Sequence, residues 1–70
     1  MENMCKVKEA LIIIANQNKK EDLKENKSYW DSVISDINST NDETKLEEIS
    51  EYDFGFNSFE QVLESVLNYT

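Results

Sequence analysis

The chain contains no proline and a single glycine, Gly55, in 70 residues. Proline and glycine are the residues that most often interrupt helices and build the turns between strands. Apolar residues recur mostly three or four positions apart, which is the spacing of one face of an α-helix. The sequence therefore predicts an all-α fold, a small compact bundle of three to four short helices.

A chain of 70 residues has room for one domain. A domain of this size buries only about 60% of its unfolded surface, so its core must be compact. With 39% apolar and 31% charged residues, the composition is that of a folded domain. We expect a single acidic helical domain over residues 1–70, with a polar connector at about residues 18–27 in which only Leu23 is apolar. A turn of helix within this connector is the alternative.

The first predicted helix runs from about Asn3 to Gln17 and carries an apolar stripe. The stripe is formed by Met4, Val7, Leu11 and Ile14. Together with Ile12 and Ile13, the run from Leu11 to Ile14 covers almost the whole circumference of the helix. This run predicts either a central helix or self-association through Leu11, Ile12, Ile13 and Ile14, and a short buried strand is the alternative.

Capping patterns indicate where the second and third helices lie. Ser28-Tyr29-Trp30-Asp31 has the form of a capping box, and the helix after it should end at Asn38-Ser39-Thr40, whose side chains compete for backbone hydrogen bonds. Its apolar face consists of Trp30, Val33, Ile34 and Ile37. A third helix from about Asn41 to Tyr52 would bury Leu46 and Ile49.

A turn at Asp53-Phe54-Gly55-Phe56 should separate the third helix from the last one, since glycine is common just after a helix end. Ser58-Phe59-Glu60-Gln61 supplies a second capping box. The predicted buried face of the last helix consists of Phe59, Val62, Leu63, Val66 and Leu67.

Part of this pattern resembles the LOTUS (OST-HTH) winged-helix domain, in which a tryptophan precedes a helix and a Phe/Tyr-Gly-Phe turn precedes the last one. The matching residues are Trp30 with the stretch to Ile37, then Asp53-Phe54-Gly55-Phe56, Phe59, Leu63 and Val66. The resemblance implies a small RNA- or helicase-binding module. The wing hairpin that closes the family's fold has no counterpart in this sequence.

The charges are unevenly distributed along the chain. Residues 1–27 contain six lysines and five acids, whereas residues 28–70 contain ten acids and Lys45 alone. Within the latter, the segment from Asp42 to Asp53 holds six carboxylates: Asp42, Glu43, Glu47, Glu48, Glu51 and Asp53. Glu43, Glu47 and Glu51 repeat every four residues, so a helix would place them about 5 to 6 Å apart along one side. Such a row is either a solvated face or a surface complementary to a basic partner.

Several functional classes are disfavoured by what the sequence lacks. Without histidine or arginine, and with one glycine, it has no histidine base, guanidinium clamp or phosphate-binding loop, so we expect no enzyme and no cofactor. A twelve-residue calcium frame from Asp36 to Glu47 has Asn41 where the sharp turn requires glycine, so we expect no metal site. The acidic charge opposes direct binding of nucleic acid.

The cellular setting follows from similarly simple observations. Cys5 is the only cysteine, which excludes an internal disulfide. No segment has the roughly 20 consecutive apolar residues that a membrane helix needs. We expect a cytoplasmic protein that does not enter membranes. The seven lysines without any arginine indicate an AT-rich genome, as in many phages.

The sequence as a whole favours a small acidic inhibitor, of the phage anti-defence (anti-CRISPR) or immunity type. Its partner would be a basic nuclease or another nucleic-acid-binding protein, blocked by occlusion or nucleic-acid mimicry. The predicted contact residues are the six carboxylates from Asp42 to Asp53, with Tyr52 and Phe54 as anchors, and exposed Tyr29 in the same role. The alternative is an adaptor that forms a homodimer through the Leu11–Ile14 run.

Overall fold

The computed structural model describes residues 3–22 and 26–68, and for Asn3 the backbone alone. These residues form four α-helices and no strand. The helices are α1 (Asn3–Glu21), α2 (Lys27–Ser39), α3 (Glu43–Phe54) and α4 (Phe59–Val66). The predicted all-α bundle is confirmed.

Helix α1 lies at the centre of the bundle and contacts the other three helices, most extensively α2 and α4. Its predicted stripe is confirmed, because Val7, Leu11 and Ile14 are at most 1% exposed. Ala10 and Ala15 are also buried and let neighbouring helices approach closely. The alternative of a strand at Leu11 to Ile14 is wrong, since the whole run is helical.

Helix α1 extends past its predicted end at Gln17, because residues 18–21 are helical. Of the two alternatives for this part of the connector, the turn of helix is therefore the one that the structure has. Lysine and glutamate have high helix propensity, so a polar stretch can extend a helix whose earlier turns are anchored in the core. The extra turn is bonded to α2: Lys27 Nζ donates to the Lys19 carbonyl oxygen at 2.8 Å, and Lys19 pairs with Asp31 at 2.6 Å. The predicted connector residue Leu23 lies outside the described residues.

The start of α2 differs from the predicted capping box. The helix begins at Lys27, its N-cap residue is Asn26, and the Asn26 side chain makes no capping bond. Ser28 is therefore already inside the helix, whereas a capping box requires serine at the N-cap. Asp22 joins the two helices instead, accepting from Asn26 Nδ2 at 3.2 Å and from Trp30 Nε1 at 2.8 Å.

The rest of α2 agrees with the prediction. It ends at Ser39, with Thr40 as C-cap. Trp30, Val33 and Ile37 are buried, and Ile34 is half-buried against the same core. Ser39 Oγ donates to the Ser35 carbonyl oxygen at 2.8 Å, the kind of local bond expected of a polar residue that ends a helix.

Helix α3 is capped by side chain at one end and by backbone at the other. It begins at Glu43, two residues later than predicted, because Asp42 is the N-cap and accepts from the Thr44 amide at 2.9 Å. It ends where Gly55 takes a left-handed conformation, with φ of 79°. The Gly55 amide then donates to the Glu51 carbonyl oxygen at 3.0 Å. The predicted glycine turn is confirmed.

The capping box of α4 is present with one changed partner. Ser58 is the N-cap and its hydroxyl accepts from the Gln61 amide at 3.4 Å. The Gln61 side chain accepts from the Asn57 amide at 2.7 Å, one residue earlier than in the usual box. Val62 is the buried centre of α4, whereas Leu67 is 72% exposed and the prediction that it is buried is wrong. Leu67 follows the last helical residue and turns away from the core.

The core draws side chains from all four helices. Its buried apolar residues are Val7, Ala10, Leu11, Ile14, Ala15, Trp30, Val33, Ile37, Leu46 and Val62. Ser50 is the one polar side chain among the described buried residues, and its hydroxyl is satisfied by donating to the Glu47 carbonyl oxygen at 2.9 Å. Leu46 is the one large apolar side chain of α3 that is fully buried, while Ile49 and Phe54 of the same helix pack against the core partly buried.

Truncation of Leu46 tests this description of the core. Because Leu46 is fully buried, the change Leu46→Ala should lower the free energy of unfolding by about 2 to 5 kcal/mol through lost burial and the cavity left behind. Urea denaturation followed by circular dichroism measures the loss. The control on the same helix is Tyr52→Ala, which removes a 79% exposed side chain and should change stability by less than about 0.5 kcal/mol. Equal losses for both variants would contradict the described core.

Substitution of Gly55 isolates the backbone requirement of the turn. No atom lies within 4 Å of the position that a Cβ would occupy, so added bulk meets no obstacle. The change Gly55→Ala should still lower the free energy of unfolding by about 1 to 2 kcal/mol, because an L-residue resists the left-handed conformation. Asparagine tolerates that conformation better, so Gly55→Asn should lose less in the same urea experiment. An alanine variant as stable as the original protein would show that this turn is not left-handed.

Candidate partner-binding site

The predicted acidic row is an exposed surface on α3. Glu43, Glu47 and Glu51 are all exposed, and Glu48 beside them is exposed as well. In the part of the chain that the structure describes, the one ion pair joins Lys19 to Asp31, on other helices. No described lysine therefore forms an ion pair with the row. Like charges four residues apart destabilise a helix, so this arrangement costs the helix stability.

The predicted contact residues of α3 occupy two different sides of the helix. Successive helical residues are about 100° apart, so Glu43, Glu47 and Glu51 follow one side and Glu48 and Tyr52 follow another. We call the first set the glutamate row. The second set lines a groove between α3 and the end of α2, with a volume of about 430 Å³.

The groove combines residues that are distant in the sequence. It is lined by Asp36, Ser39, Thr40, Lys45, Glu48, Ile49, Tyr52 and Asp53. Three of these are carboxylates, one from α2 and two from α3, and Lys45 is the only cation. The contribution of α2 was not predicted from the sequence, since no local pattern relates Asp36 to residues twelve or more positions later.

Asp53 is held in a defined orientation by α2. The Tyr29 hydroxyl donates to Asp53 Oδ1 at 2.7 Å. This hydrogen bond, with smaller contributions from burial and from the negative charge of Asp53, raises the pKa of Tyr29 above its ordinary value. The protonated phenol is thus the favoured form in the folded protein.

The three predicted aromatic anchors have different environments. Tyr52 is 79% exposed and is available to a partner. Tyr29 is 47% exposed, although its ring meets that of Trp30 edge-on at 5.0 Å. Phe54 is half-buried, and its ring lies 5.5 Å from Trp30 and 6.0 Å from Phe56. The prediction of Phe54 as an exposed anchor is therefore wrong, because this ring closes the edge of the core.

The lysines of the N-terminal half largely serve the fold. Lys8 Nζ donates to the Thr40 carbonyl oxygen at 2.9 Å, at the end of α2. Lys27 donates to the Lys19 carbonyl oxygen at the end of α1, and the Lys19 side chain pairs with Asp31 of α2. Cations are favourable at helix C-termini because the unpaired carbonyl groups there carry partial negative charge. Among the described lysines, Lys6, Lys20 and Lys45 remain exposed.

The predicted self-association surface is largely internal. Leu11 and Ile14 are at most 1% exposed, so they are not available to a second copy. Ile12 is half-buried and packs against the core. Ile13 alone is substantially accessible, at 40%. The prediction of a four-residue apolar interface is wrong, because the run is what makes α1 central.

Two further observations concern other kinds of site. Within residues 3–22 and 26–68, no group of three or more His, Cys, Asp or Glu side chains is arranged to hold a metal ion. In the same residues, no helix combines the length and apolar character needed to cross a membrane.

Comparison with known proteins finds no match: no family model fits the chain, and no curated protein or solved structure is significantly similar to it. The resemblance to the LOTUS domain gains no support from this comparison. The described residues also contain no strand from which its wing could be built.

The orientation of Asp53 can be tested by titrating Tyr29. The change Asp53→Ala removes the hydrogen bond and the neighbouring charge, so the pKa of Tyr29 should fall towards its ordinary value of about 10. The titration is followed by NMR of tyrosine labelled with ¹³C at the ζ carbon, and Tyr29→Phe assigns the resonance. Asp36→Ala, which removes a different groove carboxylate, should leave the titration unchanged. In the unmodified protein the bond stabilises the fold below about pH 10 and is lost as the pH rises through the raised pKa.

Proposed function

We propose that this protein is a small acidic binder that covers the cationic surface of a nucleic-acid-binding partner, such as a nuclease, and so blocks it. The observation that carries the proposal is the glutamate row, which is exposed and forms no ion pair with any described lysine. A helix that tolerates repulsion along one side is poorly explained by stability alone. A cationic partner would relieve that repulsion.

The proposed mechanism is occlusion. Surfaces that bind nucleic acid present lysine and arginine to phosphates, and the glutamate row offers carboxylates to the same groups. Complementary charge accelerates association and orients the two proteins before they touch. The bound helix then occupies space that nucleic acid would need, so inhibition requires no reaction.

The role of the lysines supports an acidic rather than a mixed surface. Lys8, Lys19 and Lys27 are engaged with carbonyl or carboxylate oxygens of the fold. The chain has 15 acidic residues and seven lysines, a net charge of -8. A protein of this charge repels nucleic acid at long range and attracts proteins that bind it.

Neutralising the row tests the proposal. The triple change Glu43→Gln, Glu47→Gln and Glu51→Gln should weaken capture of the partner by at least about tenfold, because three complementary contacts and most of the steering are lost. The protein is immobilised and exposed to lysate of its native host, and recovered proteins are identified by mass spectrometry at low and high salt. A basic nucleic-acid-binding protein should be recovered at low salt and released at high salt or by short DNA. Salt screens the charges of both proteins, and DNA competes for the cationic surface of the partner.

The matched control removes the same number of charges elsewhere. Glu9, Glu60 and Glu64 are exposed and lie on α1 and α4, and their change to glutamine should leave capture nearly intact. If both triple variants lose capture equally, net charge rather than the glutamate row is responsible. If the row variant keeps full capture, or if the recovered protein is neutral and stays bound at high salt, the proposed mechanism is wrong.

A further inference from the structure

We infer that the groove between α2 and α3 receives one arginine side chain of the partner, an inference that rests on the proposed function. The groove lies on a different side of α3 from the glutamate row. The groove places carboxylates, an aromatic ring and an apolar side chain around one space, which suits a single side chain. The row presents only exposed carboxylates.

Carboxylates from two helices converge on the groove. Asp36 comes from α2, and Glu48 and Asp53 come from α3. Asp53 is already oriented by the Tyr29 hydroxyl at 2.7 Å, so less side-chain freedom is lost when a ligand binds. A planar guanidinium with five N–H donors can bond to more than one carboxylate at once, which an ammonium does less well.

Aromatic and apolar surface in the same groove suits the rest of an arginine side chain. Tyr52 is 79% exposed, more than any other large hydrophobic side chain of the described residues. Its ring can stack on a guanidinium through a cation–π interaction. Ile49 is half-buried beneath the groove and offers a contact for the methylene groups of the stem.

The end of α2 supplies an independent indication that this region attracts cations. Ser39 and Thr40, which line the groove, are the last helical residue and the C-cap of α2. One cation of the chain is already bound there, since Lys8 Nζ donates to the Thr40 carbonyl oxygen at 2.9 Å. The negative end of the helix dipole adds to the attraction of the carboxylates.

Lys45 gives the inference a distinctive consequence. It also lines the groove, and it takes part in no ion pair within the described residues. Its positive charge therefore repels an incoming guanidinium without already occupying the carboxylates. Removing this charge should strengthen binding, while removing a neighbouring carboxylate should weaken it.

The test is an NMR titration of the full ¹⁵N-labelled chain with acetylated, amidated hexa-arginine, compared with hexa-lysine of the same form. Amide shifts should concentrate at the residues that line the groove, and hexa-arginine should bind at least about threefold more tightly than hexa-lysine. Glu48→Gln and Tyr52→Leu should each weaken hexa-arginine binding by about threefold or more. Lys45→Gln should strengthen it by about twofold or more. Glu60→Gln, an equal loss of charge on α4, is the matched control and should change it less than twofold.

Shifts spread evenly over all acidic residues, equal weakening by Glu60→Gln, or equal binding of hexa-lysine would each overturn the inference. All four changed residues are exposed, and an unchanged circular dichroism spectrum shows that each variant has folded. The two proposals can fail separately. If the groove variants bind hexa-arginine normally while the glutamate-row variant loses its partner, the groove inference fails and the proposed function stands. If the row variant keeps its partner, the proposed function fails whatever the peptides do.

Discussion

The packing of the apolar stripe of α1 is the interaction on which the rest of the structure depends. Val7, Leu11 and Ile14 lie at the centre of the bundle, and the other three helices contact α1 around them. A chain of 70 residues has little interior, so each of these buried side chains contributes a large share of the apolar burial that stabilises the fold. Because α1 contacts all three other helices, most of its apolar run is buried inside the bundle and is not exposed to solvent.

The lysines and the carboxylates divide between structure and surface. Two lysines bond to carbonyl groups at the ends of neighbouring helices, Lys8 at the end of α2 and Lys27 at the end of α1. The carboxylates of the glutamate row make no comparable bonds within the described residues. The same chain thus uses three of its six described lysines to hold helices together and presents the carboxylates of the glutamate row to the solvent. This division explains how a protein with seven lysines still offers a strongly acidic face.

Helix α3 combines a structural and a presenting role. One side places Leu46 and Ser50 in the core, which fixes the position of the helix against α1 and α2. The remaining circumference carries the glutamate row on one side and the wall of the groove on another. The side-chain cap at Asp42 and the left-handed turn at Gly55 define the two ends of the helix that carries these surfaces.

The sequence by itself determined the helical class, the core side of each helix and several helix ends, because these follow from local spacing and capping. The stripe of α1, the end of α2 near Ser39, the turn at Gly55 and the box at Ser58 are all local signals of this kind. It also located the glutamate row, since residues four apart on a helix are neighbours wherever the helix lies. Only the tertiary structure decided the features that depend on contacts between helices. The hydrogen bonds of Lys27 and Asp22 link the end of α1 to the start of α2. Packing decides that Leu11 and Ile14 are buried, while Phe54 closes an edge of the core. The groove exists because α2 and α3 pack against each other, which brings Asp36 and Glu48 to the same groove, a relation that no spacing along the chain encodes.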